Sequence, residues 1–380
     1  MKIFVRLVQI FVGVLFIISG LVKANDPMGL SFKMQEFFEL WSAGFRPGSF
    51  IANSLSAMHK SSLALSIAMI TLEIVAGVAL LIGWKKKFVL WLLLLLIIFF
   101  TFLTGYAYLS GKFTNCGCFG DCLPITPLTS FIKDIGLLLM ILFLLIGRNY
   151  IAAVFSSKIN AAALIASLLF SLGLQWYVLN YLPIADCLPF KKGNNIPDQM
   201  KAPPGSRPDS IAIKYIYEKG GKRFEWSANE LPADFTTYKY IDRVDRVVRK
   251  GNAEPPIKGF TLVGVSGEDS TQAVLEQPFA VLIFSLEFTD ERWLTYSRPL
   301  FDQAKSSHIP LYIVSGNLAE AKKEFEEAGI QGLQYFNTDF TVVRTVARTT
   351  PTILFLKRGT IVQKFSRNGA LSAKAALASQ

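Results

Sequence analysis

Residues 90–103 read LWLLLLLIIFFTFL, a stretch with no charged side chain. A helix that is apolar on every side has no polar face to show to water, so this segment belongs inside a bilayer rather than on the surface of a soluble domain. Comparable runs at 3–22, 63–83, 88–110, 128–147 and 159–181 approach the roughly 20 residues needed to cross the hydrocarbon core. Five spans are predicted. The 380-residue chain is 52% hydrophobic with a mean hydropathy of +0.39, yet these runs all fall in its first half. A membrane bundle followed by a soluble region is therefore expected.

Basic residues of short loops stay on the cytoplasmic side. Lys2 and Arg6, then Lys85, Lys86 and Lys87, then Arg148 and Lys158 each mark one such side after a further pair of crossings. The N-terminus is expected inside, and 23–62, 111–127 and everything beyond about 182 outside, which in a bacterium is the periplasm. A basic start and small residues at Gly20 and Ala24 leave a cleaved signal peptide as the alternative to a first span, but the apolar stretch is long for a signal core and no A-x-A site follows it, so it reads as a span. The net charge of +11 is accounted for by these orientation clusters and by contact with anionic lipid. Without a stacked aromatic platform among the remaining basic residues, nucleic acid is not an expected partner.

The cysteine loop Cys116-Gly-Cys118-Phe-Gly-Asp-Cys122 lies between two spans on the expected outward side, and Cys187 lies there too. A disulfide across Cys116 and Cys118 would close a small ring, and strained disulfides are labile and oxidising. Cys122 or Cys187 would then resolve it. Two static bridges are the competing use, Cys116 or Cys118 with Cys122 and the other with Cys187, pinning the loop to the fifth span. A four-thiolate metal site is a third, disfavoured where the compartment oxidises thiols. Glu73 lies inside the second span, where an ionisable group is costly and marks a candidate site. It could protonate a quinone, pair with Lys23, or accept a bond from Thr101 or Thr104. Asp134 is expected to pair with its neighbour Lys133. Lys23 and Asp26 are expected at the outer interface, joined by a salt bridge. His59 and His308 have no catalytic companions in sequence, and Trp41, Trp84, Trp176 and Tyr177 read as interface anchors. No Walker loop, dinucleotide fingerprint, H-E-x-x-H or haem motif occurs.

The soluble half opens with a segment at 183–210, whose part KKGNNIPDQMKAPPGSRPDS at 191–210 has no apolar period and reads as a linker. Residues 211–254 carry a hairpin signal, IAIKYIYEKGGKRFEWSANE, turning at Gly220-Gly221, with a further strand at 241–249. From 255 to 380 strands alternate with helices: VLIFSL at 281–286, a helix at 290–306, PLYIVS at 310–315, a helix at 318–328, then TTPTILFLKRGTIVQKF at 349–365. This is an α/β pattern.

Residues 255–377 resemble the thioredoxin fold, with Thr350-Pro351 where that family carries its cis-proline and TPTILFLKRGTIVQKF matching its terminal hairpin. The resemblance implies a groove beside Thr350 and Pro351 for an extended peptide or partner. It departs at the redox site, where Ser285 to Asp290 replace the Cys-x-x-Cys pair and no cysteine follows Cys187. The domain is thus not expected to exchange disulfides by itself.

The first 150 residues resemble the DoxX/MauE group of bacterial membrane proteins. The resemblance rests on Ser19-Gly20-Leu21-Val22-Lys23, Asp26-Pro27-Met28-Gly29, the amphipathic KMQEFF at 33–38, Glu73 and the CGCFGD loop, in that order relative to the spans. A four-helix unit is implied, with 151–182 as an added fifth span. It also implies periplasmic disulfide chemistry or quinone-coupled oxidation, since MauE-type proteins are associated with maturing a disulfide-rich dehydrogenase subunit and DoxX with a thiosulfate:quinone oxidoreductase. Neither substrate transfers to this chain. The expectation is a bacterial inner-membrane protein in which Cys116 and Cys118 react, Cys122 and Cys187 assist, Glu73, Lys23 and Asp26 are membrane candidates, and a periplasmic redox or client protein is the partner. A quinone is the one cofactor considered, and no metal is expected. The alternative is a non-enzymatic scaffold with structural cysteines, whose α/β domain recruits a partner.

Overall fold

A computed structural model of the chain describes residues 1–111, 120, 122–123, 125–249, 251–286, 288 and 291–379. Its membrane half is built from α1 (Lys2–Ala24), α2 (Pro27–Ser42), α3 (Phe50–Lys60), α4 (Ser62–Leu81), α5 (Lys86–Ser110), α6 (Pro127–Ile146) and α7 (Ser157–Tyr181). Among the described residues, five helices are long and apolar enough to cross a membrane: α1, α4, α5, α6 and α7. On α5, Phe88, Trp91, Leu95, Ile98 and Phe102 are exposed at three- and four-residue spacing while Leu90, Leu93, Ile97 and Phe100 are buried, so one helical face meets lipid and the other meets the bundle. The shorter α2 and α3 form the hairpin between the first two spans. Asp26 starts α2 by accepting a bond from the Gly29 amide (3.0 Å) ahead of Pro27, a pairing of N-cap carboxylate and N1 proline that stops α1 and redirects the chain.

Glycines set the closest helix crossing. A Cβ on Gly77 of α4 would lie 2.8 Å from the Gly13 carbonyl oxygen, and one on Gly20 of α1 would lie 2.5 Å from an Ile74 side-chain carbon. With no Cβ at either site the two backbones come together, as small residues permit in membranes. That approach brings the end of α1 against the middle of α4. The fifth span packs on α4 through Thr71, whose hydroxyl accepts from Gln175 Nε2 at 3.0 Å and lies 3.3 Å from Ser171.

Beyond α7 come the single turn α8 (Ile196–Gln199) and a three-stranded antiparallel sheet, β1 (Ser210–Lys219), β2 (Lys222–Ser227) and β3 (Lys239–Arg249), in the order β2-β1-β3. The α/β domain follows with β4 (Val263–Gly264), α9 (Thr271–Leu275), β5 (Ala280–Phe284), α10 (Glu291–Ser306), β6 (Leu311–Ser315), α11 (Leu318–Glu327), β7 (Gln334–Asn337), α12 (Phe340–Val346), β8 (Thr352–Lys357), β9 (Thr360–Phe365) and α13 (Ala370–Leu377). Its six-stranded sheet runs β4-β7-β6-β5-β8-β9, with β5, β6 and β7 parallel and β8 and β9 antiparallel. Strand β5 is buried at every position. Leu282 and Phe284 face a core with α9 and α12, while Val281 and Ile283 face one with α10, α11 and α13. A continuous apolar run is what a strand covered on both faces requires. The Thr350–Pro351 bond that opens β8 is cis.

The segment expected to be a linker is, in its first half, part of this domain. Phe190 and Ile196 are buried in the core beside Phe260 and Ile361. Gly193 donates to the Ile361 carbonyl (2.8 Å), Ile361 donates to Asn194 (2.9 Å), and Ile196 donates to Gly359 (2.8 Å). Two isolated apolar residues make no period, yet each fills a socket and the backbone between them pairs with the free edge of β9. The pattern at 191–210 hid this because its partners lie some 170 residues downstream.

Candidate functional site

The end of α1, the end of α7 and one edge of the α/β domain converge on the domain-bearing face of the bundle. Cys122 and Cys187, expected in separate bridges if the cysteines were structural, are joined there to each other by a disulfide with an S–S distance of 1.99 Å. Asn25, just past α1, braces it from below: its side-chain amide donates to the Ala185 carbonyl (2.9 Å), accepts from the Ala185 amide (3.0 Å), and lies 3.9 Å from Cys122 Sγ. The bridge thus ties the loop between α5 and α6 to the chain that enters the α/β domain. Cys116 and Cys118 lie outside the described residues.

One turn deeper, Lys23 and Glu73 form a buried ion pair, with Nζ 2.7 and 2.6 Å from the two carboxylate oxygens and both side chains at most 2% exposed. Ser19 adds an acceptor at 2.8 Å, and the ammonium sits 4.8 Å above the Phe100 ring. Of the partners open to Glu73 in the sequence, Lys23 is the one it meets. Thr104 instead donates to Asp134 (3.0 Å), which also pairs with Lys133 (2.7 Å). The two pairs line a common cavity of about 20 Å³ between α1, α4, α5 and α6. That is room for roughly one water. A quinone ring does not fit among these residues, and no reaction step through one is assigned to Glu73.

The sequence pattern placed Lys23 with Asp26; the structure does not. Lys23 turns inward to α4, whereas Asp26 reaches up to Arg348 of the α/β domain at 2.7 Å, the two side chains being 6% and 10% exposed. Arg348 directly precedes Thr349-Thr350-Pro351. Its guanidinium and that of Arg344 both lie over the Phe32 ring of α2, at 5.6 and 5.2 Å. A second tie links Lys364 of β9 to Asp186 at 2.8 Å, next to the disulfide. Burial pushes the Lys364 ammonium below its ordinary range, an effect that the charge of Asp186 and its hydrogen bond oppose. The loop entering the expected groove at Thr350 and Pro351 is therefore seated on α2, with Thr350 half-buried and Pro351 buried.

Sequence reasoning missed Asn25, Asp186, Arg344, Arg348 and Lys364. Asp186 adjoins a cysteine and Arg348 lies three residues before the cis-proline, and those were the only local signals. His59, which has no catalytic companion beside it in sequence, is partly exposed and meets Glu39 at 2.8 Å across the α2–α3 hairpin. Among the described residues no group of three His, Cys, Asp or Glu is placed to hold a metal ion.

These features define a multi-pass membrane protein that carries an α/β domain on one face. Residues 1–147, which cover α1 to α6, match the family model described as methylamine utilisation protein MauE, so this part of the chain is similar to that family. Residues 211–250, which cover β1 to β3, match a family described as a domain of unknown function (DUF8463). A curated relative, Protein TlpB of Flavobacterium psychrophilum, is 31% identical over 147 residues, which make up 37% of this chain and 37% of that protein. The match thus spans little more than a third of the relative's length.

Proposed function

We propose that the chain is a bacterial inner-membrane protein, N-terminus in the cytoplasm and α/β domain in the periplasm, that takes part in thiol–disulfide exchange during maturation of a periplasmic protein. The observation that carries this reading is the Cys122–Cys187 disulfide on the domain-bearing face of the bundle, with Cys118 four residues and Cys116 six residues before Cys122 in the sequence. Orientation rests on the basic residues near Lys2, Lys85 and Arg148, which follow the positive-inside bias. The thioredoxin resemblance of the outer domain is supported by the strand order, the antiparallel β8–β9 hairpin and cis-Pro351. In the exchange, a client dithiol loses two electrons and two protons as its own S–S bond forms, and a disulfide between Cys116 and Cys118 would take them up as it opens to two thiols.

Trapping free thiols in intact cells with a mass-tagged maleimide, followed by peptide mass spectrometry, tests this reading. A mixed redox population at Cys116 and Cys118 that shifts with the thiol load of the periplasm is expected. Both cysteines invariably oxidised, with client thiol states unaltered by Cys118→Ser, would overturn it. The scaffold reading has its own support in the Cys122–Cys187 bridge and the Asp26–Arg348 pair, which together fasten the domain to the bundle. It is favoured if deletion of 255–380 abolishes function while Cys118→Ser does not.

A further inference from the structure

Several ties join the α/β domain to the membrane unit at one place, and the Cys122–Cys187 bond lies among them. Cys187 is followed after two residues by Phe190, a core residue of the domain, and is preceded by Asp186, the partner of Lys364. Its disulfide to Cys122 fixes residues 185–187 over Asn25, and Asn25 adjoins Asp26, the partner of Arg348. The bond therefore adjoins one ion pair in the chain, through Asp186, and lies one residue from the other, across Asn25. Cutting it removes the cross-link between residues 122 and 187, leaving the Asn25–Ala185 bonds, the Asp26–Arg348 pair, the Arg344 and Arg348 contacts with Phe32 and the chain from α7 to hold the domain.

We propose that the Cys122–Cys187 disulfide is a redox-sensitive latch that holds the α/β domain down on α2, with the Arg348–Pro351 loop covered. A dithiol reductant opens it: the Cys122–Cys187 S–S bond breaks, two electrons and two protons pass to the two sulfurs, and the reductant's own S–S bond forms. The loop beside cis-Pro351 then becomes open to an extended peptide. Because the latch needs no turnover at Cys116 or Cys118, it stands or falls apart from the exchange reading above.

The experiment is amide hydrogen exchange on the full chain in nanodiscs, carrying Cys116→Ser and Cys118→Ser so that Cys122–Cys187 is the only bond that dithiothreitol can reduce. On reduction, exchange at 27–38 and 340–350 is expected to rise about tenfold or more while the domain core at 280–284 and α5 at 93–100 stay unchanged, the pattern of a local opening. A variant with Cys122→Ser and Cys187→Ser should show the raised exchange without reductant. Unchanged exchange at 27–38 and 340–350 after complete reduction would overturn the latch. So would a rise that includes the core strand, because the bond would then be a staple for the whole domain.

Discussion

Arg348 and Asp26 meet at 2.7 Å across the boundary between the α/β domain and the membrane bundle, both nearly buried. Asp26 serves two elements at once: Oδ1 caps α2 through the Gly29 amide and Oδ2 receives Arg348. The residue that ends the first span's loop is therefore also the residue that seats the soluble domain.

Removing one partner of this pair strands the other. Arg348→Ala is expected to lower stability by about 3 kcal/mol, the lower part of the range for an unpaired buried charge. Asp26→Asn should cost less, since asparagine still caps a helix. In the double variant much of the Arg348→Ala loss should return, giving a coupling energy of about 1 kcal/mol or more in a thermal-unfolding cycle in detergent. Strictly additive effects would mean that the two side chains do not interact in solution.

Lys23 and Glu73 are more deeply enclosed. Lys23→Met leaves a carboxylate without a cation between α1 and α4 and should destabilise the bundle by about 3–5 kcal/mol, whereas Lys23→Met with Glu73→Met should recover most of this. Thermal melting of the purified variants reports it. Equal loss in the single and double variants would show that the pair acts through packing alone.

Lys364 supplies a pH dependence. Its ammonium titrates below the ordinary lysine value in the folded chain because burial outweighs the help from Asp186. In the unfolded chain it holds its proton up to about pH 10.4. Between the lowered folded value and that limit the unfolded state binds more protons, so the folding stability of the α/β domain rises with pH through this window. Below the window the full desolvation penalty is present. Lys364→Met should flatten the rise, as read from chemical denaturation at a series of alkaline pH values; an unchanged slope would count against a buried, charged Lys364.

Phe190 tests where the domain begins. It is 1% exposed against Phe260, their ring centroids 5.8 Å apart. Phe190→Ala should cost about 3–5 kcal/mol, measured by denaturant unfolding, although the sequence around it reads as linker. A loss under about 0.5 kcal/mol, as expected of a surface substitution, would restore the linker reading.

Much of the architecture was legible in the chain because it rests on local, repeated chemistry. The five spans follow from hydrophobic runs near bilayer length, and the buried strand β5 from an uninterrupted apolar run. The hairpin between β1 and β2 follows from Gly220-Gly221, both at positive φ. The cis bond at Thr350–Pro351 was expected from the resemblance to a known fold. The candidate site was legible only in part. Cys122, Cys187, Lys23, Asp26 and Glu73 stood out by type and place, and Lys23 was among the partners open to Glu73, but Arg348 as the partner of Asp26 and Cys187 as that of Cys122 were not singled out.

What the sequence determined by itself was the division into a membrane bundle and an α/β domain, since burial in lipid demands apolar runs of bilayer length and a strand covered by helices on both faces demands a short unbroken one. What only the tertiary structure decided was who meets whom. Lys23 turns to Glu73 because Gly20 and Gly77 let α1 and α4 touch. Asp26 turns to Arg348, and Cys122 to Cys187, because three segments far apart in the chain end on the same face. Such pairings depend on the geometry of packed helices, and an ion pair spanning 322 positions leaves no periodic trace in the sequence.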